Sequence, residues 1–139
     1  ETQGRLEEAE AEARVSLEII VESTPETNPN LAIAFYDLGD LVRRNGRTGE
    51  AVALLERALA LSERAEIVPH ERGEIMFGLA RALFETPAQR QRALGLARQA
   101  LTLYREDDAG IAGDRRELQE WLAVNDRESE APPHGRPGQ

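Results

Sequence analysis

Ala9, Ala51 and Ala93 stand 42 residues apart in succession, in the alike settings RLEEAEAEA, RTGEAVALL and RQRALGLAR. A fixed period of this size means one supersecondary unit repeated, each copy burying its apolar face only by stacking on the next. A small side chain at the same place in each unit marks where chain segments approach closely. The units are helical: Ala, Leu, Glu and Arg dominate, and they lose little freedom in a helical backbone. Strand formers are scattered and aromatics make up only 4%. The fold class that follows is all-α.

The prolines punctuate the helices. Pro25, Pro29, Pro69 and Pro87 leave stretches of helical length between them, since proline is tolerated at a first helical position and not inside. Six helices are predicted, over 5–21, 30–44, 48–64, 69–85, 87–105 and 111–124. The first carries Leu6, Ala9, Ala13, Leu17 and Ile20 on one stripe, three or four apart. Asn28 before Pro29 and Thr86 before Pro87 read as N-caps, the latter with Gln89 in capping-box position. Asn45-Gly46 ends the second helix with residues that accept left-handed backbone. Residues 106–110, EDDAG, are read as a break, and Leu118, Trp121 and Leu122 share a face of the last helix. Residues 126–139 are polar, proline-rich and aperiodic, and are expected to be a disordered tail.

Residues 32–64 contain Phe35-x2-Leu38-Gly39-x2-Val42, then Gly46, then Ala51-x3-Leu55, then Ala58-Leu59. This run resembles the tetratricopeptide repeat (TPR), whose signature is W-x2-L-G-x2-Y, then A-x3-F, then P; Glu63 stands where the family has its proline. The next unit is in register through Met76, Leu79-Ala80, Leu83, Ala93, Ala97, Ala100 and Leu101. The resemblance implies an antiparallel helix-turn-helix stack forming a right-handed superhelical solenoid over 1–125. It comprises an orphan second helix (5–21), repeats at 30–64 and 69–105, and a capping helix at 111–124. Gly39 and Ala51 are expected where the two helices of one repeat cross, and Ala58 where the next repeat packs. The period, with Asn-Pro before a first helix, is similar to the kinesin-light-chain subtype. The stretch from 79 to 123 resembles TPR tails of bacterial serine/threonine kinases, although no HRD, DFG or glycine-rich phosphate loop is present.

Several chemistries are disfavoured. Lys+Arg number 17 against 26 Asp+Glu, a net charge of −9 at pH 7, which opposes binding to nucleic-acid phosphates or anionic lipid. No apolar run reaches membrane-spanning length. Without cysteine there is no thiolate nucleophile or disulfide. His70 and His134 have no orienting partner in sequence and read as solvent-facing. The acidic run at 106–108 lacks the spaced ligands of a calcium loop. Glu7, Glu8, Glu10 and Glu12 read as a solvated face. No catalytic residue, metal site or cofactor is expected, and a cytoplasmic address is.

The resemblance implies that function lies on the concave side, lined by the first helix of each pair. The positions it carries over are Ile33, Tyr36, Asp37, Asp40, Arg43 and Arg44, then Phe77, Arg81, Phe84 and Glu85. Asp37 and Gly78 stand where the light-chain subtype often places asparagine, and the clamp for a C-terminal carboxylate is absent. Arg43, Arg44 and Arg81 suggest a protein or peptide partner with an acidic segment. Val15 and Ile19 lie off the core stripe of the first helix. They are expected to meet either a missing helix of a longer regulatory protein or a second copy, as a homodimer.

Overall fold

The computed structural model describes residues 2–105 and 112–130, with side chains to 126. Six α-helices follow one another: α1 (Thr2–Ser23), α2 (Pro29–Arg44), α3 (Thr48–Arg64), α4 (Pro69–Phe84), α5 (Arg90–Leu103) and α6 (Ala112–Glu130). The described residues hold no strand. Helices α2–α3 and α4–α5 form the two most closely packed pairs; α1 lies on α2, α3 on α4, α5 on α6, and α2 beside α4. The chain is thus an all-α helical repeat stack.

Sequence chemistry sets the ends of these helices. The Asn28 side chain accepts a hydrogen bond of 2.9 Å from the Asn30 N–H, capping α2 ahead of Pro29. At its other end Gly46 takes φ 87°. Gly46 N donates to Arg43 O and Arg47 N to Val42 O, which satisfies the carbonyls that a helix end leaves open. This three-residue turn folds α3 back along α2.

Four expectations are corrected. Thr86 makes no side-chain cap; residues Pro87–Gln89 form a 3-10 turn instead, and α5 begins at Arg90. α1 extends to Thr2 and Ser23, beyond 5–21 at both ends. α6 runs on to Glu130, so the start of the expected tail is helical; 131–139 and the break at 106–110 lie outside the described residues. The fourth concerns Glu10. It is 7% exposed, and accepts from Arg47 and, at 2.8 Å, from the Asn45 amide, while Arg14 adds a third contact at 3.0 Å. Sitting four residues beyond Leu6, Glu10 belongs to the inward stripe. It ties α1 to the α2–α3 turn.

The core is built from Ala and Leu. Leu38, Val42, Ala51, Leu55, Ala58, Leu61, Leu79, Ala80, Ala93, Ala97 and Ala100 are all buried, as are Leu118 and Leu122 of α6. Gly39 does allow the close crossing of α2 and α3, but the side chain it admits is Leu55: a Cβ on Gly39 would stand 2.7 Å from Leu55 Cγ. Ala51 is buried one turn earlier on the same face of α3. A buried Leu contributes about 1.5–3 kcal/mol, so this register is stabilised by contacts that only a residue without a side chain at 39 permits.

Candidate functional site

Helices α2, α4 and α6 together line a half-open cavity of about 220 Å3. Its walls carry Tyr36, Asp40 and Arg44 from α2, Glu74, Phe77 and Arg81 from α4, Asp114 and Glu117 from α6, and Tyr104 just after α5. Tyr36 reaches this place because α4 presents a glycine to it: a Cβ on Gly78 would lie 2.8 Å from Tyr36 Cε1. Tyr104 does so through Gly73, whose Cβ would lie 3.0 Å from Tyr104 Cε2. Two glycines one and a half turns apart on α4 thus seat the two rings.

Four carboxylates face two guanidinium groups in this cavity, and both guanidiniums are already engaged. Arg44 Nε is 3.1 Å from Asp40 Oδ2, and Arg43 Nη2 is 2.9 Å from Asp40 Oδ1. Arg81 pairs with Glu117 and lies 4.1 Å over the Phe77 ring. Glu74 lies near Asp114, Glu71 and Asp37, with His70 opposing them. Burial first, then Asp114, raises its carboxyl above the usual range. Asp37 is raised by burial and by Asp40. Burial and the same carboxylates push the Tyr36 and Tyr104 phenols well above their ordinary value. At neutral pH these phenols keep their protons and are hydrogen-bond donors. The cavity therefore combines surplus negative charge with neutral donors.

Of the positions carried over from the resemblance, Tyr36, Asp40, Arg44, Phe77 and Arg81 converge on the cavity. Asp37 is exposed and lies instead beside α1, with Glu12 and Ala13, and Ile33 is half-buried. Phe84 is elsewhere engaged: with Phe77 it holds Trp121 of α6 edge-on, at centroid distances of 5.3 and 5.6 Å. Glu85 accepts from Thr48 Oγ1 at 2.7 Å, away from the cavity. Gly78 serves packing, and the asparagine it was compared with has no counterpart role here. Glu74, Tyr104, Asp114 and Glu117 were missed. They lie on three separate elements, and only Trp121 hinted that α6 reaches back to α4. Val15 and Ile19 are 57% and 61% exposed. Among the described residues no group of three His, Cys, Asp or Glu is arranged to hold a metal ion.

Residues 1–64 match the family model described as tetratricopeptide repeat. Over this segment the chain is similar to tetratricopeptide-repeat sequence. Such repeats generally mediate contacts between proteins, and the match spans α1, α2 and α3. Beyond the matched segment α4 and α5 pair closely as α2 and α3 do, and Ala80 of α4 is buried as Gly39 of α2 is. No curated protein and no solved structure matches the chain. No helix among the described residues is long and apolar enough to cross a membrane.

Proposed function

We propose that the chain is a non-catalytic protein-interaction module, and that the face formed by α2, α4 and α6 receives a partner segment with a basic side chain entering the cavity. One observation carries this: Asp40, Glu74, Asp114 and Glu117 outnumber Arg44 and Arg81 in the cavity even with Arg43 counted beside Asp40, and all three arginines already have carboxylate partners. An incoming Lys or Arg finds Glu74 and Asp114 in mutual repulsion and relieves it. This replaces the acidic segment suggested by the arginines, because an acidic segment would have to displace Asp40 and Glu117 first. The phenols of Tyr36 and Tyr104 add donors and flat apolar surface, which suits the stem of a long cationic side chain.

The absence of catalysis is part of the proposal. The cavity brings carboxylates to arginines and phenols, with no nucleophile beside a base among its walls. A homotypic contact through Val15 and Ile19 is disfavoured because Glu8, Glu12, Glu18 and Glu22 are exposed on the same helix and two copies would bring them together.

A peptide array of constant apolar content and varying charge tests this reading. Retention of Lys- and Arg-bearing peptides, weakening as salt is raised, is the expected result. Preference for Glu- or phosphoserine-bearing peptides overturns it.

A further inference from the structure

The cavity between α2, α4 and α6 has two unlike ends. Helix α3 turns back along α2, and α4 turns back along α3, where Arg72 near the start of α4 donates to Ser62 O near the end of α3. Helices α2 and α4 therefore run in the same direction, and the contact of Tyr36 with Gly78 sets them level. From that level Arg44 lies eight residues further along α2, and Glu74 four residues back along α4. At about 1.5 Å per residue the two are about 18 Å apart along the helix axes, yet both line the cavity. The Glu74 end is acidic. Asp114 acts on Glu74 there, and among the described residues neither carboxylate is in an ion pair. The Arg44 end is basic. Asp40 gives one oxygen to Arg43 at 2.9 Å and the other to Arg44 at 3.1 Å, so one carboxylate stands against two guanidinium groups. The Arg44 side chain is 54% exposed and open to a second anion. Arg81 and Glu117 pair with each other and add nothing to either sign.

We propose that the partner segment is dipolar: an extended stretch laid along the α2–α4 seam, with a basic side chain between Glu74 and Asp114 and an acidic side chain about four residues away on Arg44. This rests on the reading of the cavity as a site for a basic residue, and adds a second anchor to it. The acidic residue does not displace Asp40. It takes up the positive charge that Asp40, shared with Arg43, leaves unmatched. Four residues of extended chain span about 13 Å, and the long side chains of Arg44, Glu74 and the incoming basic residue make up the rest. A segment basic throughout would bring a cation against Arg44, and one acidic throughout would bring a carboxylate against Glu74. Like charges facing each other disfavour both, so the two ends of the cavity select for opposite charges in one segment.

The test uses the whole chain and four labelled peptides on one neutral frame, measured by fluorescence anisotropy. They carry Lys alone, Glu alone, Lys and Glu four residues apart, and Lys and Glu side by side. Lys with the distant Glu is expected to bind about threefold more tightly than Lys alone, the size of a solvent-exposed ion pair, and the adjacent pair should show no such gain. Arg44→Gln in the chain, a change at an exposed side chain, should bring the distant-pair and Lys-alone peptides level while circular dichroism stays helical. Equal binding with and without the distant Glu, an equal gain from the adjacent pair, or a gain that survives Arg44→Gln overturns the dipolar partner and leaves the basic-residue reading standing. If no Lys-bearing peptide binds, or if Glu alone binds more tightly than Lys alone, that reading falls and the dipolar partner with it.

Discussion

The Tyr36 ring lies across Gly78, so closely that a single added carbon at 78 would stand 2.8 Å from its Cε1. This contact joins α2 to α4 and aims the phenol at the cavity. Gly78→Ala is therefore expected to destabilise the fold by about 1–2 kcal/mol, the overpacking penalty outweighing the gain of about 1 kcal/mol in helix propensity. Denaturant melts check the sign. A more stable variant would mean that the ring moves aside freely.

Acid should loosen the N-terminal end first. Hydrogen bonds from Arg47, then Asn45 and Arg14, hold the Glu10 carboxyl down at about 2 against burial, which opposes them. A carboxyl with a depressed folded value gives stability that is present above its unfolded value of 4.5, and that is lost as pH falls toward 2. Glu10→Gln should flatten the pH dependence of stability in that window while lowering stability at pH 7.

Glu74 should show the opposite linkage. Its carboxyl is raised by burial and by Asp114, so its charge costs stability at neutral pH and the cost is relieved as pH falls through the raised value. Glu74→Gln is expected to raise the melting temperature at pH 7 and, at the same time, to weaken binding of basic peptides. A binding site that trades stability for charge behaves in this way.

Trp121 is the only tryptophan, and it is held by Phe77 and Phe84; its emission therefore reports the docking of α6. Leu118→Ala removes a fully buried side chain and should cost about 2–5 kcal/mol. A red shift of emission at lower denaturant than the loss of α2–α5 helicity is expected.

The helical stack was legible because its determinants are local or periodic. Gly46, Asn28 and the three alanines each state their own geometry within a few residues. The charge of the site was not legible. Arg43, Arg44 and Arg81 look like an anion site in sequence, since Asp40 and Glu117 neutralise them through contacts set by helix register and by tertiary packing, with Glu117 lying 36 residues from Arg81. Glu10 was hidden among solvated glutamates for the same reason: its partners Asn45 and Arg47 are supplied by a turn 35 and 37 residues away. Apolar spacing predicts which face is inward, but it does not say which charges an inward face will have matched.

The most direct test of the acidic cavity is isothermal titration of the tightest Lys-bearing array peptide into the native chain and into Glu74→Gln/Asp114→Asn. Binding at least tenfold weaker in the double variant, with helicity unchanged, is the predicted result. Equal or tighter binding by the variant would contradict a cavity that selects its partner through surplus negative charge.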